Sequence, residues 1–205
     1  MELPELHNNN LSSTIINIVS DKGFCREWLN GIETLTDLEE HLFVLVTNYG
    51  GTTEERLKVF HLVQIWGGKS GRNIYVMGKD GFCWNIIDQY YSQFINTCRS
   101  LTGHTESDMK NAYRAVMSFN EKVKNIGPSF ITKHLRFWTY PNLHNEMFPP
   151  YDSVMATNYM HKKYYRYSDI VPYWQKIYKE ASKGHLPVAL YERILFNNFS
   201  TSYRK

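Results

Sequence analysis

The stretch KVKNIGPSFITKHLRFWTYPNLHNEMFPPYD, Lys122 to Asp152, decides how the rest of the chain is read, because it holds a turn, a lysine and an acid. Upstream of it, Ala112, Val116, Phe119 and Val123 recur at three- and four-residue spacings, which places one apolar stripe on a helix over Asn111 to Lys124. That helix is predicted to stop at Asn125. Asn tolerates a left-handed backbone, Gly accepts almost any, and Pro suits the first turn of a helix, so Asn125-Ile126-Gly127-Pro128 reads as a tight reversal into a second helix from about Ser129 to Trp138. The expected unit is a helical hairpin.

The first N–H groups of a helix have no partner within it, and the helix dipole adds partial positive charge there, so the mouth of this hairpin suits a phosphate oxygen. Such a contact positions a duplex without reading its sequence, and Asn125, Ile126, Gly127 and Ser129 are the candidate DNA-binding residues. An ordinary antiparallel helix pair has the same pattern.

Lys133 lies one turn after Ser129 and shares its face. Its neighbours Phe130, Arg136 and Phe137 are expected to push a buried lysine toward the neutral, nucleophilic amine. Nineteen residues on, Pro149-Pro150-Tyr151-Asp152 leads into Ser153-Val154-Met155-Ala156, which reads as a stiff loop entering a helix with Asp152 or Ser153 at its cap. Lys133 and Asp152 are the candidate catalytic pair. Taken singly, each also fits a solvated lysine and a plain helix cap.

Asn125-Ile126-Gly127-Pro128, the run Phe130 to Phe137 and the segment Pro149 to Ala156 together resemble the helix-hairpin-helix DNA glycosylase superfamily, most of all its 8-oxoguanine DNA glycosylase-like members. The likeness is specific over about Asn111 to Tyr159, and Tyr191 to Phe196 is similar to that group's final helix. The resemblance implies an all-α fold with two helical subdomains around a cleft. It also implies excision of a damaged base, 8-oxoguanine first, with lyase activity at the resulting abasic site. In that family a lysine after the hairpin attacks the sugar and an aspartate before the next helix assists, roles that match Lys133 and Asp152. This chain departs from better-known members in carrying Asn125 where they have a second glycine. It also carries Ser129 where they have the lysine, which places Lys133 a full turn later on the same helical face. Many members hold an iron–sulfur cluster on four C-terminal cysteines, whereas no cysteine follows Cys98 here, so no cofactor is expected.

The chain's 205 residues suffice for one glycosylase-like domain, with an N-terminal helical part over 1–102 and a hairpin-containing basic part over 103–205. Net charge separates the parts: 8 Lys and Arg against 12 Asp and Glu give −4 in the first, and 15 against 8 give +7 in the second. Lys110, Lys122, Lys124, Lys162, Lys163 and Arg166 bracket the proposed site, as tracking a polyanion requires, although solvated helix faces carry the same charges. The start, Met1-Glu2-Leu3-Pro4, has neither a basic nor an apolar leader segment. No stretch approaches the length of a membrane span, so the expectation is a soluble cytoplasmic monomer without a membrane partner, associated with the nucleoid in a prokaryote. Cys25, Cys83 and Cys98 form neither a disulfide framework nor a zinc pattern and are expected as reduced core thiols. The histidines also lack metal-ligand spacing.

Elsewhere the signals are helical. Thr36 with Glu39, and Thr52 with Glu55, read as capping boxes. Gly67-Gly68-Lys69-Ser70 is no phosphate loop, because Val63 stands where the first glycine belongs and no strand precedes it. Lys69 and Arg72 could still touch a DNA backbone from a plain interhelix loop. Ile74 to Met77 reads as a small strand or extended linker, and Phe82 to Leu101 as a long helix. Further helices are predicted from Asp152 to about Tyr165, Asp169 to Ser182 and Pro187 to Phe199. Phe137, Trp138, Tyr140 and Tyr151 are either core or the lining of a base pocket. The partner expected is double-stranded DNA containing a lesion; the alternatives are a non-catalytic helix-hairpin-helix DNA-binding module and a helical protein-interaction domain.

Overall fold

The computed structural model describes residues 3–6, 9–20, 22–76 and 82–202, and its regular elements are all helical, with no strand among the described residues. In chain order they are α1 (Ser13–Ser20), α2 (Leu35–Thr47), α3 (Thr53–Trp66), the single turn α4 (Asn73–Val76), α5 (Trp84–Ser100), α6 (Glu106–Lys122), α7 (Pro128–Leu143), α8 (Ile170–Lys183) and α9 (Val188–Ser202). Among the described residues, no helix is long and apolar enough to cross a membrane.

Capping boxes fix the starts of three helices. Thr52 with Glu55 begins α3 and Thr105 with Asp108 begins α6. At α2 the box is Thr34 with Asp37, two residues earlier than the expected Thr36 with Glu39. Thr36 is taken instead by Asn9, whose Oδ1 accepts from its backbone N–H and its hydroxyl. Glu39 is drawn inside to meet two arginines.

Helix α7 is the axis of the molecule. Every residue from Ser129 to Thr139 is buried, and α2, α3, α5 and α6 all pack around it. A helix enclosed on all sides carries no single apolar stripe, which is why its polar residues matter so much. It runs five residues beyond the expected end at Trp138, because Pro141 falls in the last turn and His144, at φ 47, makes the reversal. One apolar cluster extends from Ile15 through Trp138 to Val188, so the acidic and basic parts share a core across residue 102.

Other expectations need correction. Ile74 and Tyr75 sit in a helical turn, not a strand, because both side chains are buried and Tyr75 Oη lies 2.8 Å from His61 Nδ1; Met77 is outside the described residues. The segment after Asp152 is one wide π-helical turn, Met155–Tyr159, not a helix to Tyr165. Its chain turns away at His161 (φ 54), and the exposed polar run that follows has nothing to bury. Only Cys98 is a core thiol, since Cys25 is half-buried and Cys83 exposed. Phe137, Trp138 and Tyr151 are core, with Trp138 Nε1 donating to Tyr91 Oη at 2.7 Å.

Candidate active site at the hairpin mouth

Helix α6 ends at Lys122, and Asn125 adopts φ 63, the left-handed conformation that reverses the chain. Gly127 then caps α7 in an extended conformation, with Pro128 as the first helical residue. The exposed face of this hairpin carries Lys122 and Lys124, while Ile126 is buried beneath it.

Two threonines of α7 hold the acid-bearing loop in place. Thr132 donates its hydroxyl to Pro128 O (2.8 Å) and accepts from Tyr151 N (2.9 Å); two turns further along the same face, Thr139 accepts from Phe148 N at 3.3 Å. From the other side, Trp174 Nε1 donates to Pro149 O at 3.0 Å. These bonds fix the residue before Asp152 to the first turn of the helix that carries Lys133. Asp152 itself spends Oδ1 on the N–H groups of Val154 (3.0 Å) and Met155 (3.1 Å), while Oδ2 has no hydrogen-bond partner among the described residues. A carboxylate held this way is oriented yet keeps one oxygen for other work.

A cavity of about 250 Å³ is lined by Asn125, Ile126, Gly127, Ser129, Lys133 and Asp152 together, so all six candidate residues meet at one opening. A larger, mostly apolar cavity of about 460 Å³ lies on its other side, and Gly67, Lys133, Asp152, Ser153 and Phe196 line both. Its size is that of an ordinary small-molecule pocket. Trp66, Pro150, Glu192 and Arg193 complete much of its wall.

Lys133 is 9% exposed, and its amine has no hydrogen bond or ion pair among the described residues. Nζ stands 4.8 Å from the centre of the Phe130 ring and 6.0 Å from that of Trp66. Burial pulls its pKa below the ordinary lysine value, and the charges of Asp152 and Glu192 oppose that pull. Arg136 plays no part, contrary to expectation, because its charge is neutralised: it donates to Glu39 Oε1 (3.1 Å) and Glu192 Oε2 (3.3 Å). Arg193 completes the cluster by donating to Glu39 Oε2 and to Pro4 O. Glu192, pushed toward its neutral form by burial, thus belongs both to this cluster and to the wall of the larger cavity.

Glu192 and Phe196, within the segment similar to the family's final helix, and Trp66 with the glycines of the 67–71 loop line the two cavities, a placement that sequence reading did not give them. The glycines carry a legible signal, though not for phosphate. A Cβ at Gly67 would come within 2.2 Å of the Phe130 ring, and one at Gly71 within 2.3 Å of Gln64 O, so the loop is glycine-rich to pass closely over α7 at Gly67 and against the end of α3 at Gly71. The side chain of Lys69 lies outside the described residues, and Arg72 is exposed. Among the described residues no group of His, Cys, Asp and Glu is arranged to hold a metal ion. The chain matches no family model, no curated protein and no solved structure.

Proposed function

We propose that this chain is a DNA glycosylase with lyase activity of the helix-hairpin-helix type. The observation that carries the reading is Lys133: a nearly buried, unpaired amine with a lowered pKa, on the wall of the same cavity as Asp152 and the hairpin mouth. A structural lysine at this depth would be paired.

In this reading the hairpin and the exposed Lys122 and Lys124 take the phosphates beside a damaged nucleotide. The base swings out of the stack at a cost of about a few kcal/mol, less for a weakened pair. It enters the larger cavity, where Trp66 and Phe196 offer apolar walls and the Glu192 carboxyl a polar partner. The neutral Lys133 amine attacks the anomeric carbon, and the glycosidic bond breaks with its electron pair leaving on the base. Asp152 stabilises the positive charge that develops on the sugar. Loss of the amine proton and ring opening give an imine, through which the strand is cut by elimination. The sequence resemblance makes 8-oxoguanine the first base to test.

Borohydride added during reaction with an 8-oxoguanine duplex should reduce the imine and leave the protein covalently joined to DNA. Lys133→Gln should form no adduct while still binding DNA. Trapping that persists in the variant would place the nucleophile elsewhere; base release without trapping in the native protein would make water the nucleophile.

A further inference from the structure

The loop Lys162-Lys163-Tyr164-Tyr165-Arg166 joins the π-helical turn after Asp152 to α8, and the catalytic reading makes no use of it. Its tyrosines are 61% and 41% exposed, among the few exposed large hydrophobic side chains of the described residues. Tyr165 also lines the smaller cavity beside Asn125 and Lys133, which places the loop at the hairpin mouth.

The loop is held at both ends. Lys162 N donates to Ala156 O at 2.8 Å on one side. On the other, Tyr167 Oη lies 2.6 Å from Asn120 Oδ1 and 3.0 Å from Ile126 O, bonding it to α6 and to the hairpin turn itself. The charges between these anchors are lightly engaged. Lys163 Nζ stands 5.3 Å over the Tyr164 ring, Lys162 reaches Asp169 only at 3.8 Å, and Arg166 has no carboxylate partner among the described residues.

We propose that this loop is a second DNA contact that grips an unpaired stretch of strand beside the hairpin, its cations meeting phosphates and its tyrosine rings stacking on exposed bases. The inference rests on the reading of the hairpin as a DNA-binding element. Flat aromatic faces set among cations suit a polyanion that carries rings of its own. A paired duplex hides its base faces, whereas a strand opened around an extruded nucleotide presents them, so the loop favours opened DNA and offsets part of the cost of opening.

The test is the affinity of the full chain, by fluorescence anisotropy, for a paired duplex and for the same duplex with a short mismatched bubble. The native protein should bind the bubble about tenfold more tightly, a factor typical of one stacked base. Replacing both rings, Tyr164→Ala with Tyr165→Ala, should erase that margin while paired-duplex affinity stays within about twofold, since the phosphate contacts remain. Tyr164→Phe with Tyr165→Phe should keep the margin, because stacking needs the ring and not the hydroxyl. A margin absent in the native protein, or preserved in the double alanine variant, overturns the proposal. A margin present in a protein that excises no base upholds it and removes the glycosylase reading instead.

Discussion

Helix α7 carries two buried cations three residues apart, and the protein treats them in opposite ways. Arg136 is enclosed by Glu39 and Glu192, with Arg193 closing the cluster, so that two guanidinium and two carboxyl groups from α2, α7 and α9 are paired, leaving Arg136 Nε without a partner among the described residues. Lys133, on the same helix and nearly as deep, faces two cavities with no such partner. Desolvating a charge is costly, and a fold that leaves one buried cation without a carboxylate partner holds that amine below its ordinary pKa, as the proposed chemistry requires. The first site joins the two ends of the chain to its centre; the second is suited to chemistry. Glu192 touches both, which is how the packing of α9 bears on the site.

The largest effect should come from breaking the paired side. Glu39→Gln leaves Arg136 and Arg193 short of a charge inside the core, and removing one partner of a buried pair costs about 3–5 kcal/mol. The midpoint of urea unfolding should fall accordingly. A shift below about 1 kcal/mol, the scale of a surface pair, would mean that water screens this cluster despite its burial.

On the reactive side, Asp152→Asn should leave the fold and DNA affinity in place, because Asn can still accept from Val154 and Met155. It cannot carry the charge that steadies a sugar cation, and excision should drop about 100- to 1000-fold, the loss seen when one electrostatic partner of a transition state is removed. Unaltered single-turnover excision would reduce Asp152 to a cap.

How much of this was legible beforehand depends on the range of the interaction. The hairpin, with its left-handed Asn125 and capping Gly127, follows from local backbone preferences, and so do the boxes at Thr52 and the helices around them. The nineteen-residue interval from Lys133 to Asp152 was visible, but what closes it was not. Thr132 binding Tyr151 N across that interval is a tertiary contact between a helix face and a loop, with no signature in spacing. Glu39, Arg136 and Glu192 are scattered over the chain, so the cluster, and with it the reason Arg136 does not perturb Lys133, emerges only on folding. Thr36 misled because Asn9, far back in the chain, competes for it.

Beside the two cations, His134 shows a third treatment. It is buried between Gln64 and Tyr91 and stacked on Phe60, and burial holds its pKa at about 3, from an ordinary 6.5. His61 is held to about 4 in the same way. Both folded values lie below the unfolded one, so the unfolded chain binds more protons as pH falls below 6.5, and stability is lost on acidification toward pH 4. Each ring contributes up to about 1.4 kcal/mol per pH unit within that window. His134→Gln should flatten the slope measured by denaturant titration between about pH 6 and 4; an unchanged slope would put the acid response on other groups.

The smallest effect is the one whose sign matters most. Lys133→Met keeps the length of the side chain beside Phe130 and Trp66 while removing the ammonium. Because burial lowers the folded pKa of Lys133, its charged form destabilises the protein fully at pH values below that folded pKa, and the penalty fades as pH rises toward the unfolded value of 10.5. The variant should therefore be more stable at neutral pH, with the gain shrinking in alkaline buffer, while borohydride trapping disappears. Arg136→Met, three residues on, should do the reverse, because it strands Glu192 without its cation and leaves Glu39 with Arg193 alone. Opposite signs for one substitution on one helix would separate an amine kept for reaction from a guanidinium kept for structure. A Lys133→Met protein that is destabilised like Arg136→Met would instead show that the amine's contacts with the two rings, and with the field of Asp152, hold the fold together.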